Sequence, residues 1–313
     1  MQLTMRKPCS VTAEFAGFAT LCAGRLRLVL ALSMLMLAIS GCAWLDAKQR
    51  QAIYRPTPGV PADFAGLRTG DERYFVDLPQ TAAADPNPAA LQRIEMWWLP
   101  HADAKAPTLL YFHGTFRNLF ENARKIDSLR AAGFAVLAVE YRGWGLSTPI
   151  TPSERTILQD ADAAWAELQR REPRAAQRVI YGHSMGSGVA VDLASRLRCK
   201  SDYGALILES AFSSFSDVAR EAGVLASMLA LSNNERFASI EKIGKVHVPL
   251  LMIHGRADTT IPLILGKRLF DAANVPKQWL VIDGGAHSDV DEIGKVQYQA
   301  AMQEFKSKYL SEP

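Results

Sequence analysis

Short apolar runs alternate with longer amphipathic windows along most of the chain. The runs that read as strands are Tyr74–Leu78, Arg93–Leu99, Thr108–Phe112, Phe134–Val139, Val179–Gly182, Ala205–Leu208, Leu250–His254 and Trp279–Ile282. Between the later runs lie windows of helical period near 117–132, 153–171, 185–198, 263–273 and 292–309. Strands alternating with helices predict the α/β class, a mostly parallel central sheet with helices on both faces. The first two strands are joined by the turn-rich "PQTAAADPNPAA", which predicts an antiparallel hairpin at one edge. The stretch 211–246, between the sixth and seventh strands, leaves room for a small helical cap at most.

The first 41 residues follow a different pattern. Arg25 and Arg27 precede an apolar run from Leu28 to Ile39, and Ser40 and Gly41 lead to Cys42. A basic start, an apolar middle and a small-residue exit are the parts of a secretory signal. Ile39-Ser40-Gly41-Cys42 resembles the bacterial lipobox, whose cysteine is acylated and becomes the mature N-terminus. The expected organisation is therefore a signal peptide over 1–41, a lipidated N-terminus and tether over 42–70, and one folded domain over 71–313. Pro56, Pro58, Gly59, Pro61 and Gly66 punctuate the tether. The expected location is a membrane-anchored lipoprotein facing the periplasm or cell exterior. The alternative is an uncleaved signal anchor, since Leu28–Leu45 spans about 18 weakly polar residues, just enough to cross a bilayer.

Charge and cysteines sharpen this division. The 313 residues carry a net charge of +3. The leader alone accounts for it, with Arg6, Lys7, Arg25 and Arg27 against Glu14. Residues 42–313 are neutral, which argues against nucleic acid as a partner of the folded part. Of the four cysteines, Cys9 and Cys22 leave with the leader and Cys42 takes the lipid, so Cys199 has no partner for a disulfide. Oligomeric state is not encoded in any of these features.

The candidate chemistry begins at "YGHSMGSG". A strand ends at Gly182-His183-Ser184-Met185-Gly186 and a helix begins at once, the nucleophile-elbow arrangement. The alternative for Ser184 is a helix cap in a tight turn. A serine nucleophile needs a base at neutral pH. Among the six histidines, His287 follows the last strand on the glycine-rich "DGGAHSD" and can fold back over the sheet edge. His101 and His247 fall in connections, His183 sits inside the elbow, and His113 and His254 end strands. The base needs an acid to fix its tautomer. Asp258 in "HGRADTTIP" follows the seventh strand, and the order Ser184, Asp258, His287 is the order of this elbow class. Asp289 competes but stands only two residues from His287. Oxyanion donors are expected from the amide of Met185 and from "YFHGTFRN", through the amide of Thr115 or Phe116.

Taken together, "YFHGTFRN", "VEYRGWGLS", "YGHSMGSG", "HGRADTTIP" and "GGAHSD" resemble the α/β-hydrolase superfamily over roughly residues 70–310. Within it the chain is similar to the serine hydrolases that include monoacylglycerol lipases and acyl-protein thioesterase-like enzymes. The resemblance implies a loop near the site for "YRGWGLS", with Arg142 and Trp144 structural or pocket-lining; Phe116 and Trp144 are the candidate pocket walls. It departs from the pattern at Thr115-Phe116-Arg117, where relatives often carry small residues. The expected activity is a Ser-His-Asp ester hydrolase acting on a small-molecule or lipid ester of short to medium acyl chain. An amide or peptide hydrolase of the same fold is the rival, and a non-catalytic binding protein a third possibility. No HExxH, CxxC or P-loop pattern occurs, so neither a cofactor nor a metal is implied.

Overall fold

The computed structural model describes residues 33, 34, 36, 40–78, 91–223 and 235–310. Most of the leader read as a signal peptide lies outside the described residues, as do the 79–90 connection and positions 224–234 of the 211–246 segment. Cys42 is exposed and residues 40–48 are helical. Among the described residues, no helix is long and apolar enough to cross a membrane.

The sheet has eight strands: β1 (Glu72–Asp77), β2 (Arg93–Leu99), β3 (Thr108–Phe112), β4 (Ala135–Glu140), β5 (Arg178–His183), β6 (Ala205–Glu209), β7 (Leu250–Gly255) and β8 (Lys277–Ile282). Their spatial order is β1-β2-β4-β3-β5-β6-β7-β8. β1 and β2 pair antiparallel, as the turn-rich connection predicts, and β2 also runs antiparallel to β4. All later pairs are parallel. Every residue of β3 to β7 is buried. That is the consequence of covering a parallel sheet with helices on both faces, and it explains why these strands carry continuous apolar runs. Each large side chain buried this way contributes about 1.5–3 kcal/mol.

Beyond the helical residues 49–54, the helices described in the domain are α1 (Ala123–Ala131), α2 (Glu154–Arg171), α3 (Met185–Arg196), α4 (Phe215–Glu221), α5 (Ser239–Lys242), α6 (Leu263–Ala272), α7 (Val290–Ile293) and α8 (Lys295–Tyr309). α2 starts where the sequence supplies a reciprocal cap: Thr156 N–H donates to Ser153 Oγ, and Ser153 N–H donates to Thr156 Oγ1. Two helical windows are corrected. The window at 117–132 yields a helix only from Ala123, because the Asn118 side chain donates outward to the carbonyls of Thr57 and Gly59. The window at 292–309 is split at Gly294, which closes α7 and opens α8.

The tether boundary is corrected as well. From Gln49 onward the chain belongs to one compact unit that runs to the C-terminus. Tyr54 is fully buried and packs against Trp144, Phe215 and Phe237. The main chain at Thr57 and Gly59 exchanges hydrogen bonds with Gly145 at 2.9 and 2.7 Å. Phe64 packs on Trp97 and Phe120. The prolines and glycines of 56–66 shape a strap laid over the domain, where the composition alone suggests a free linker.

Candidate active site

Parallel strands end at one edge of the sheet, and the loops that follow β3, β5, β7 and β8 meet there. Ser184 directly follows β5 with φ 54°, a left-handed conformation that costs a non-glycine residue about 1–3 kcal/mol. Two close approaches enforce the turn. A Cβ on Gly182 would lie 2.2 Å from the Gly186 carbonyl oxygen, and one on Gly186 would lie 2.1 Å from that of Phe112. Only glycine fits at either place. The elbow is thus wedged between its own strand and the end of β3, which presents Ser184 as the N-cap of α3. The amide of Met185 lies in the first turn of α3, where no helix carbonyl can take it.

Ser184 Oγ lies 2.8 Å from His287 Nε2, and His287 Nδ1 lies 2.8 Å from Asp258 Oδ2. The structure brings these three predicted residues into one hydrogen-bonded row. The other oxygen of Asp258 accepts the amides of Thr260 and Ile261 at 2.9 and 2.8 Å. Burial pushes this carboxyl up, but the His287 ring and the Ile261 amide outweigh burial and hold it below its ordinary value. Asp289 instead accepts the amide of Ala286 at 2.7 Å and so folds the loop that carries His287.

The imidazole is held from behind through its own backbone. The carbonyl of His287 accepts from His183 Nε2 at 2.9 Å and from Ser210 Oγ at 3.1 Å. His183 is buried, and burial lowers its pKa to about 4. It is therefore neutral at physiological pH, with its hydrogen on Nε2, since a carbonyl can only accept. His254 is also buried and lowered, and its Nε2 donates to the Ile261 carbonyl at 2.9 Å.

The loop after β3 faces Ser184 from the other side. A Cβ on Gly114 would stand 3.0 Å from Ser184 Cβ, so the loop backbone lies against the serine. Its carbonyls are pinned inward. Gly114 O accepts from His113 Nδ1 at 2.7 Å, and Thr115 O accepts from Trp144 Nε1 at 2.8 Å. In a trans peptide the N–H opposes the C=O, so the amides of Thr115 and Phe116 turn away from this buried strut. His113 is fully buried, with Nε2 2.9 Å from Glu140 Oε1. Glu140 Oε2 accepts the amide of Leu119 at 2.8 Å. Trp144, expected as a pocket wall, has no exposed surface and is corrected to a support beneath the loop. Phe116 is 46% exposed, with the Arg55 guanidinium 5.0 Å over its ring. Arg142 reaches inward to Asp160 at 2.7 Å and is structural.

Sequence reasoning missed the buried charges behind the row: Lys125, Glu209 and Asp291. Lys125 Nζ lies 2.5 Å from both Glu209 Oε1 and Asp291 Oδ1. The available signal was a glutamate ending an otherwise apolar strand, "ALILE", since an ionisable group there needs a buried partner.

Comparison with known proteins agrees with this architecture. Residues 103–234 match the family described as serine aminopeptidase, S33. An uncharacterized protein of Mycobacterium tuberculosis is 31% identical over 283 residues, covering 88% of this chain and 94% of that one. The alpha/beta hydrolase domain-containing protein 17B of Xenopus laevis is 32% identical over 205 residues, covering 65% and 67%. The lysophosphatidylserine lipase ABHD12 of Danio rerio is 34% identical over 198 residues, covering 56% and 50%. Among solved structures, the esterase Pf2001 of Pyrococcus furiosus superposes with a TM-score of 0.64 at 16% identity, covering 82% of this chain and 98% of that one. With its elbow, its sheet order and relatives of this kind, the chain belongs to the α/β-hydrolase family and is a hydrolase.

Proposed function

We propose that this hydrolase cleaves carboxylic esters of short to medium acyl chain through an acyl-enzyme on Ser184. The observation that carries the reading is the unbroken row Ser184, His287, Asp258, with both contacts at 2.8 Å. His287 takes the serine proton as Oγ attacks the ester carbonyl, then returns it to the leaving alcohol. Asp258 holds the ring with Nδ1 protonated and Nε2 free to accept, and stabilises the imidazolium as it forms. The amides of Met185 and Thr115 are assigned as donors to the developing oxyanion, each worth about 2.7–4 kcal/mol. Water then repeats the cycle on the acyl-enzyme and releases the acid.

The ester reading draws on the similar proteins, which include a lipase and a structure of an esterase, whereas the matching family is that of a serine aminopeptidase. Only a few dozen residues separate β6 from β7, and the helices described there, α4 and α5, are short. An insertion of this length favours an open mouth, which would put discrimination on the acyl side, where Phe116 stands half exposed. One methylene in such a pocket changes binding by about 1–3 kcal/mol, so selectivity is graded.

The test pairs a fluorophosphonate probe with kcat/KM across p-nitrophenyl esters from acetate to palmitate and a series of aminoacyl anilides. The parent should be labelled and should favour acetate to octanoate. Ser184→Ala should lose labelling and about four to six powers of ten in turnover. Equal labelling of the Ser184→Ala variant would overturn the nucleophile, and preference for the anilides would overturn the ester assignment.

A further inference from the structure

Lys125 is a cation almost wholly removed from water, 3% exposed on α1. Its ammonium sits between two buried carboxylates at 2.5 Å each: Glu209, the last residue of β6, and Asp291, four residues beyond His287. The second oxygen of Glu209 accepts Tyr181 Oη at 2.6 Å and Tyr298 Oη at 3.1 Å. At the outer edge Arg124 Nη1 meets Asp291 at 3.2 Å. Burying three charges costs several kcal/mol per ion, and apolar side chains of similar volume would hold the same elements together as well or better. Stability is therefore a weak reason for this cluster.

Its neighbours give a better one. The register of β5 against β6 sets His183 opposite Glu209. The Glu209 carbonyl accepts the amide of Ser184 at 2.9 Å. Glu209 Oε1 is 3.9 Å from His183 Nε2, which donates to the His287 carbonyl. The adjacent Ser210 donates to the same carbonyl. The rings of His183 and His287 are 5.2 Å apart. The cluster is thus one residue removed from both the serine and the imidazole, and Asp291 joins it to the segment that carries His287.

We propose that Lys125, Glu209 and Asp291 form a positioning cluster that sets both the place of the His287 loop and the charge its imidazole feels. This rests on the reading of His287 as the base. Lys125 cancels one of the two carboxylate charges, so the imidazole faces a smaller negative field from behind than the pair alone would exert. The other groups around the ring are Asp258 on Nδ1, Ser184 on Nε2, the neutral His183, His254 beside Asp258, and Asp289 within the same loop.

The sign of each substitution follows. A general base works unprotonated, so the acidic limb of kcat/KM reports where the base takes up its proton. Lys125→Met leaves negative charge behind the ring, favours imidazolium, and moves the acidic limb to higher pH. Glu209→Gln and Asp291→Asn remove negative charge and move it to lower pH. Each displacement should be about one pH unit, the size that a unit charge produces over ~10 Å at an effective dielectric near 20. A merely structural cluster would lower activity in all three variants without opposed shifts.

The experiment measures kcat and KM for p-nitrophenyl butyrate from pH 4 to 9 on the full-length parent, the three variants and His287→Ala. Opposed displacements, with kcat reduced about tenfold or more at little-changed KM, are expected. If Lys125→Met does not fold, the two amide variants still test the downward direction. Limbs in Glu209→Gln and Asp291→Asn that coincide with the parent, or move upward, refute the cluster's role while His287→Ala remains inactive. Full activity of His287→Ala would instead remove the base assignment on which the proposal stands.

Discussion

The loops that approach Ser184 from its two sides are held by different means. The loop after β3 is fixed at its carbonyls by ring donors, its own His113 at Gly114 and Trp144, from beyond β4, at Thr115. The loop after β8 is held at several main-chain atoms: the Gly285 carbonyl accepts the Ala257 amide, the Ala286 amide donates to Asp289, and the His287 carbonyl takes two donors, while the His287 ring reaches Asp258 and Ser184. The first loop has to aim backbone amides, so its peptide planes are clamped. The second has to aim a ring, so its main chain is clamped and the ring is given one partner on each nitrogen. What a loop must present decides which of its atoms the fold restrains.

The sharpest way to break this comparison is on the ring side. Asp258→Asn should lower kcat about 10⁴-fold, because an amide cannot hold the ring with Nδ1 protonated. Asp289→Asn keeps a carbonyl oxygen for the Ala286 amide and should stay within about tenfold of the parent. Steady-state hydrolysis of p-nitrophenyl butyrate by the two variants decides the matter, and the reverse order of damage would show that the wrong carboxylate has been assigned. On the amide side, Trp144→Phe deletes the donor to Thr115 and leaves that carbonyl buried. The peptide plane should then tilt, with kcat down about 10- to 100-fold at similar KM, less than the 10²–10³ lost when an oxyanion donor is removed outright. A fall in KM affinity with kcat intact would mean that Trp144 shapes binding and not the donors. The smallest effect belongs to Ser210→Ala. It removes one of two donors to the His287 carbonyl, and a single neutral hydrogen bond is worth about 1 kcal/mol. A drop of about 2–4 °C in thermal midpoint with a two- to fivefold loss in kcat is expected. A loss as large as that of Asp258→Asn would show that His183 alone cannot hold the loop.

The same contrast explains what could be read from the chain. The order of strands and helices was visible because β3 to β7 are apolar throughout and the helices carry a regular period. Ser184 was visible because its turn demands glycine at two fixed offsets, which is a local constraint. Asp258 and His287 follow strand ends, where the topology sends functional side chains. The supports were not visible, because their partners are far apart in sequence. Glu140 and His113 meet across neighbouring strands, and Lys125 bridges β6 and α7. Trp144 in "RGWG" could be structural or pocket-lining from sequence alone, and the packing of Tyr54, far upstream, against it is what decides. The strap at 56–66 shows the same limit: proline and glycine announce irregular backbone, but not whether that backbone is docked.

The carboxyl beneath the first loop bears on the charge that loop has to receive. His113 Nδ1 faces the Gly114 carbonyl, which can only accept, so Nδ1 carries a hydrogen. Glu140 lies 2.9 Å from the other ring nitrogen in full burial, and burial pushes its carboxyl up, toward the neutral form. Every step toward neutrality removes negative charge from beneath amides assigned to an oxyanion. The loop beside Ser184 thus rests on an acid whose own surroundings disfavour the charge that would oppose its task.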